Sequence, residues 1–320
     1  ASVDVPGAFH VSTANHLKLS DGTLYRAGNG PDSNLSIAAP EAFGFLSGVS
    51  APIRFIDRAS VSAKPGKAIS LVGSDIEVSN STVLRTNGGG IRMAAAGTQV
   101  IDVGLEGPLP AGGGTLAVAN GGWIDARTNS TYGAGNIAAS AERMVLTNRG
   151  EISTTSYLES KTGNINIRAR EVTIDGQGQW ASIYTNGPAG VIDVTASGAI
   201  TLRDHGEIAS YGSDVGHAGD VRVSAGSLLI DAQPANTATW IYSESSYNGP
   251  GTPGKVHVNV SGPITLLSGA SIWTLTLAEG KAGDVSVRSS AVTLDGKDIV
   301  TGIKSDSSPI SSGASGNVEV

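Results

Sequence analysis

The sequence predicts an all-β protein, a right-handed parallel β-helix (a β-solenoid) of about ten three-strand coils. Three observations carry that prediction. A five-residue pattern, Gly-x-aliphatic-x-aliphatic, opens at Gly163, Gly190, Gly219, Gly254, Gly283 and Gly316, so the glycines stand 27, 29, 35, 29 and 33 residues apart. Self-similarity at such a period marks a repeat architecture. Each repeat then holds two further short alternating runs, the signal of strands. Between the runs lie Gly, Asn, Asp and Ser, the residues that bend chains. Three strands and three turns per repeat make one coil, and each strand pairs with its equivalent about 4.8 Å away in the next.

Taken in order, residues 1–50 differ from the rest. Phe9-His10-Val11 and Leu17-Lys18-Leu19 alternate like strands, and Ser20-Asp21-Gly22 turns between elements. Three of the four phenylalanines, Phe9, Phe43 and Phe45, fall in this stretch, which reads as a hydrophobic, β-helical junction onto the repeats. The run from Phe9 to Leu19, followed by Ala39-Pro40-Glu41-Ala42-Phe43-Gly44-Phe45-Leu46, resembles the closing part of the secretion domain of filamentous-haemagglutinin-type exoproteins, the large cargo of bacterial two-partner secretion. The resemblance covers residues 9–48. It implies a secreted, surface-associated bacterial protein, exported by an outer-membrane transporter, with an adhesive or fibre-forming role. Family members carry asparagine-proline motifs early in that domain. This chain has no Asn-Pro dipeptide, so it is expected to begin near the domain's end.

Residues 51–320 read as continuous repeats. In 51–162 the pattern is degraded, and the runs beginning at Gly66, Gly90, Gly114 and Gly135 are expected to be first strands of early coils. From Gly163 onward the second runs are Val172-Thr173-Ile174, Ile200-Thr201-Leu202, Ile264-Thr265-Leu266 and Val292-Thr293-Leu294. The third runs follow Ile-x-Ser/Thr, at Ile183, Ile208, Ile241, Ile272 and Ile303. The longest repeat has its excess around residues 232–253, where Pro234, Pro250 and Pro253 suggest a protruding loop. Stacking predicts one inward aliphatic column, Ile165, Ile192, Val221, Val256, Val285 and Val318. It also predicts a charge alternation on the outside, Asp220, Lys255, Asp284, that avoids like-charge neighbours. Val320 closes a first strand and leaves an open edge, so a longer protein extending at both ends is expected.

Only 15% of the 320 residues are charged and 44 are glycine, against about 25% charged residues in ordinary domains. Small polar faces and glycine corners account for both. A net charge of −7 disfavours nucleic acid, which needs a basic face. There is no cysteine, hence no disulfide framework or thiolate metal site, and no run of 18 apolar residues to span a membrane. The five histidines lack ligand spacing, and no cofactor or metal is predicted.

Two constellations remain as candidate sites. Asp193, Arg222 and His257 fall outward on successive first strands, where an acid/base trio of a polysaccharide lyase or hydrolase could sit. The competing reading is a solvated face, and neighbouring Asn166 and Ser286 add no second carboxylate. The aromatic residues carry more. Of 15 in all, Trp180, Tyr184, Tyr211, Trp240, Tyr242, Tyr247 and Trp273 lie within residues 180–273. Tyr184, Tyr242 and Trp273 follow the buried Ile of their third strands and should point outward. Trp240 should share that face by the strand period of two, and Trp180 should reach the same edge. The stripe Trp180, Tyr184, Trp240, Tyr242 and Trp273 is therefore the predicted binding surface, for a glycan or protein receptor of host or matrix or for self-association into fibres. Rings that merely cover turns are the competing reading. The function expected is a non-catalytic adhesin or matrix fibre; the alternative is a polysaccharide-active β-helix enzyme.

Overall fold

Short runs of alternating residues bury one side of each strand, and a fixed repeat puts equivalent strands side by side. The structure, a computed structural model, describes residues 2–27, 36–46, 51–131, 133–158, 160–212, 217–234, 237–245, 251–277, 279–308 and 312–320. Among the described residues every regular element is a β-strand, and the long sheets are parallel.

Three stacks of parallel strands share one core. Stack one runs from Phe9–Ser12 through Ile69–Gly73 and Ile91–Ala95 to Val318–Glu319, taking in Ile192–Ala196, Val221–Ala225, Val256–Val260 and Val285–Arg288. Stack two runs from Ile53–Phe55 to Ala291–Asp295. Stack three is a ten-stranded sheet from Ser2–Val5 to Gly302–Ser307. Stacks one and two form a single 17-stranded sheet because two 11-residue strands, Ile137–Thr147 and Ile165–Asp175, pass from one into the other. A turn between first and second strands was expected in those repeats; the chain bends there without leaving extended structure.

The inward column Ile165, Ile192, Val221, Val256 and Val285 is in register and buried throughout. Val318 continues it in register but is exposed, having no strand beyond it among the described residues. The glycines that open each first strand also stack. A Cβ on Gly163, Gly219, Gly254, Gly283 or Gly316 would run into the backbone carbonyl of the glycine one repeat earlier, so close approach of corners, not a left-handed φ, demands glycine there.

The Ser or Thr of the third-strand signature points into the core and serves those same corners. Thr154 Oγ1 donates to the Gly163 carbonyl at 2.7 Å, Thr185 to Gly190 at 3.2 Å and Thr274 to Gly283 at 2.6 Å. Ser210 and Ser243 accept from the Gly219 and Gly254 N–H groups at 2.9 and 2.8 Å. A buried corner thus has its backbone groups satisfied.

Two early assignments change. The run at Gly114 is not a first strand: Thr115–Ala119 belongs to stack two, against Ile76–Ser79 and Arg143–Thr147 of Ile137–Thr147. Stack one runs from Ile91–Ala95 to Ile137 directly, because the segment between Ile91–Ala95 and Thr115–Ala119 is an excursion that forms Ile101–Gly104 before the chain rejoins stacks two and three. That strand pairs antiparallel with Pro40–Phe45, which pairs with His16–Leu19 and through it Leu24–Arg26. Phe45, Val103 and Leu109 of this antiparallel sheet region bury against Val72, Ala94 and Ala96 on the outer side of stack one. Residues 1–50 are therefore part repeat, at Ser2–Val5 and Phe9–Ser12, and part antiparallel cover. In the longest repeat the third strand Trp240–Glu244 lies inside the expected loop, so the excess is split around it; Pro250 falls outside the described residues.

Candidate ligand-binding face

The outer side of stack three carries the sequence-predicted aromatics. Its strands set Arg85, Asp125, Ser153, Tyr184, Ala209, Tyr242, Trp273 and Lys304 in one outward column. The column two residues earlier runs Trp123, Glu151, Ser182, Glu207, Trp240, Ser271. Tyr211 and Glu244 lie two residues later, on neighbouring strands.

The predicted register holds, but the predicted exposure does not. Tyr242 is 3% and Trp273 9% exposed. Strand spacing of about 4.8 Å brings rings on successive strands into contact. Tyr242 and Trp273 stack with centroids 5.3 Å apart, Trp240 meets both edge-on at 5.7 and 5.4 Å, and Tyr211 meets Tyr242 and Tyr184 edge-on at 5.4 and 6.1 Å. Offset and edge contacts of this kind add roughly 0.5–1.5 kcal/mol each beyond area. The stripe is therefore a second, external apolar cluster that largely covers itself. Trp180 is its exposed member, at 43%, set edge-on to His205 at 5.2 Å and Trp240 at 6.5 Å. Tyr247 lies outside the described residues.

Beside this cluster lies an open pocket of about 320 Å³ lined by Glu151, Trp180, Ser182, Tyr184, Glu207 and Tyr211. Glu207 is 5% exposed. Its carboxylate accepts from Tyr211 Oη at 3.3 and 3.2 Å and from Tyr242 Oη at 3.2 Å, and the two tyrosine hydroxyls bond to each other. Burial pushes Glu207 up to about 7, against the pull of those two hydroxyls. Glu151, which accepts from Tyr184 Oη at 3.5 Å, is also raised by burial. The two glutamates stand on backbone positions two strand spacings apart, about 9.6 Å along the column, with Ser182 between. Burial likewise pushes the Tyr184, Tyr211 and Tyr242 hydroxyls upward, so all three stay protonated donors.

Glu151 and Glu207 were not singled out from sequence, and Tyr211, named among the clustered aromatics, was left out of the predicted stripe. The predicted stripe rests mainly on the residue after the buried Ile. The residue before it is outward as well, and there the sequence reads Glu151-Ile152, Ser182-Ile183, Glu207-Ile208 and Trp240-Ile241.

The other candidate trio is stacked as expected, Asp193 beside Arg222 beside His257. Arg222 Nη2, however, pairs with Asp220 at 2.8 Å, and Asp193 Oδ1 accepts from Thr195 Oγ1 at 3.2 Å. The three side chains are not held together. No protein-family profile, no curated protein and no solved structure matches this chain. Its class therefore rests on the fold: an all-β chain of long parallel sheets with an aromatic outer face.

Proposed function

We infer that the chain is a right-handed parallel β-helix from a secreted bacterial surface protein of the filamentous-haemagglutinin type, and that it is a non-catalytic rod holding glycan on the outer face of stack three. The three in-register stacks around one core support the helix. The motifs at residues 9–19 and 39–46 support the secreted, adhesive setting and export through an outer-membrane transporter. The single observation that carries glycan binding is the exposed Trp180 ring at the rim of a pocket walled by tyrosines and carboxylates. Flat rings take the apolar face of a sugar while the acceptors take its hydroxyls.

The test is binding of the purified chain to a panel of immobilised exopolysaccharides and host glycans. Trp180→Ala is expected to weaken the strongest interaction at least tenfold with an unchanged far-ultraviolet spectrum. A folded variant that binds as before removes the reading. A second reading, a polysaccharide hydrolase, has one observation in its favour: two buried-shifted carboxylates facing one pocket, the pair glycoside hydrolysis uses. It attaches to Glu151 and Glu207, no longer to Asp193 and His257, and new reducing ends released from the bound polysaccharide would select it.

A further inference from the structure

Aromatic rings and carboxylates meet at three places on the outer face of stack three. At the first, Asp125 is fully buried and receives Arg85 Nε at 2.9 Å and Arg127 Nε, while both guanidinium groups lie over the Trp123 ring, 4.9 and 4.7 Å from its centre. At the third, Lys304 Nζ lies 5.1 Å over the Trp273 ring and 3.0 Å from Asp306. In both, a cation of the chain sits between a π face and a carboxylate. The middle place has the same parts: Glu151 and Glu207, with the Tyr184, Tyr211 and Trp180 rings. Among the described residues neither glutamate forms an ion pair. Glu207 is nevertheless nineteen-twentieths buried and lines the open pocket.

A buried carboxylate without a counter-charge is costly, and a cation held against ring faces is attracted by them, the more so where water is excluded. The pocket thus brings together the same kinds of group, rings and carboxylates, as the two filled places, without a cation of the chain between them. We propose that it binds an organic ammonium group, the protonated amine of a hexosamine unit in a partly de-N-acetylated polysaccharide. This rests on the glycan-binding reading and names its ligand class. The sugar ring is the part that Trp180 can stack on; the amine is the part that Glu151 and Glu207 recognise; Ser182 lies between them for a hydroxyl. An inorganic cation would leave the ring walls unused. The groups facing Glu207 from its own and the adjoining strands are Glu151, Ser182, Tyr184, Tyr211, Trp240, Tyr242 and Glu244; the basic groups nearby are Arg149, whose charge acts on Glu151, and His205 against the Trp180 ring, and neither forms an ion pair with Glu151 or Glu207 among the described residues.

Calorimetry and tryptophan fluorescence at pH 6.5 would compare a fully de-N-acetylated β-1,4-hexosamine hexamer with its fully N-acetylated counterpart, a lysine-rich peptide and the glycan panel above. The amine hexamer is expected to bind at least tenfold more tightly than the acetylated one. Glu207→Gln and Glu151→Gln should each lose at least tenfold for the amine hexamer and weaken the acetylated one by a clearly smaller factor. Glu151 is the less buried, so its variant carries the test if Glu207→Gln does not fold. Equal affinity for the two hexamers, or Gln variants that bind like the parent, overturns the ammonium site. If other glycans of the panel still bind through Trp180, the glycan reading survives that failure; if no glycan binds the parent chain, both fall. Tighter binding of the lysine peptide than of the amine hexamer overturns the polysaccharide assignment.

Discussion

Glu207 shows how far one residue departs from what its position in the sequence suggests. It stands before a buried Ile, where a solvated glutamate would be unremarkable, yet rings on the next strands close over it. A carboxyl whose proton is held more tightly in the folded than in the unfolded chain favours folding while protonated. That contribution is complete below about pH 4.5 and is lost as pH rises to about 7. Its full size is about 3 kcal/mol at 1.36 kcal/mol per pH unit. Glu207→Gln keeps the shape and removes the charge. Denaturant titrations across pH 5–8 should show the variant more stable above pH 7 by about 1–3 kcal/mol, with a flatter decline between pH 5 and 7.5. Glu151 and Glu244 are raised by burial too, so some slope should persist. An identical pH profile for variant and parent would mean that the carboxylate is already solvated. At this scale the sequence showed which side chains point outward but not which stay wet. Exposure depends on ring-to-ring contact across strands about thirty residues apart, and alternation within a strand carries no trace of it.

At the scale of the element, the signature Gly-x-aliphatic-x-aliphatic was legible because each part has a separate physical cause. The aliphatics fill the core, and the glycine lets one corner lie on the next. The hydroxyl of the third strand was legible as a pattern but not as a cause: it is the hydrogen-bond partner of the corner it precedes, nine residues on at Thr154 and Thr274. A Cβ at Gly219 would press on the Gly190 backbone. Gly219→Ala is therefore expected to destabilise by about 1–3 kcal/mol. Gly302→Ala, whose added methyl meets nothing within 4 Å, should be near neutral. Thermal unfolding of the two variants checks this, and equal effects would refute the close-approach account. What the pattern could not show was the early repeats. There Thr115–Ala119 carries the same aliphatic spacing as a first strand, and only its neighbours assign it to stack two.

Across the whole molecule, charge follows the register. Lys255 Nζ reaches Asp284 Oδ2 at 3.0 Å on the neighbouring strand, as the expected alternation requires. Asp220 behaves differently: its side chain pairs with Arg222 and accepts the Lys255 backbone N–H at 2.9 Å. Asp284 in turn accepts the Asn317 N–H at 3.0 Å, and Asn164 accepts that of Val191 at 3.0 Å. Short side chains at this position thus tie successive repeats through the backbone, beyond the modest value of an exposed ion pair. The stacks were legible in the spacing of the glycines; the antiparallel cover was not, since its closing strand Ile101–Gly104 comes from a segment with no repeat pattern. That strand has a consequence for the order of events in folding. Phe45 pairs with Ile101, 56 residues on by subtraction, so residues 16–45 gain their outer partner only after two intervening turns of the repeat have been laid down. The cover acts as a clasp that fastens after the two turns it spans, and its closure bears the entropy of a long loop. Val103→Asp, placed in the buried seam, should unfasten it alone. Limited proteolysis is then expected to cut within residues 16–45 while residues 137–308 stay intact, whereas cleavage spread evenly through the repeats would show that clasp and stacked sheets unfold as one.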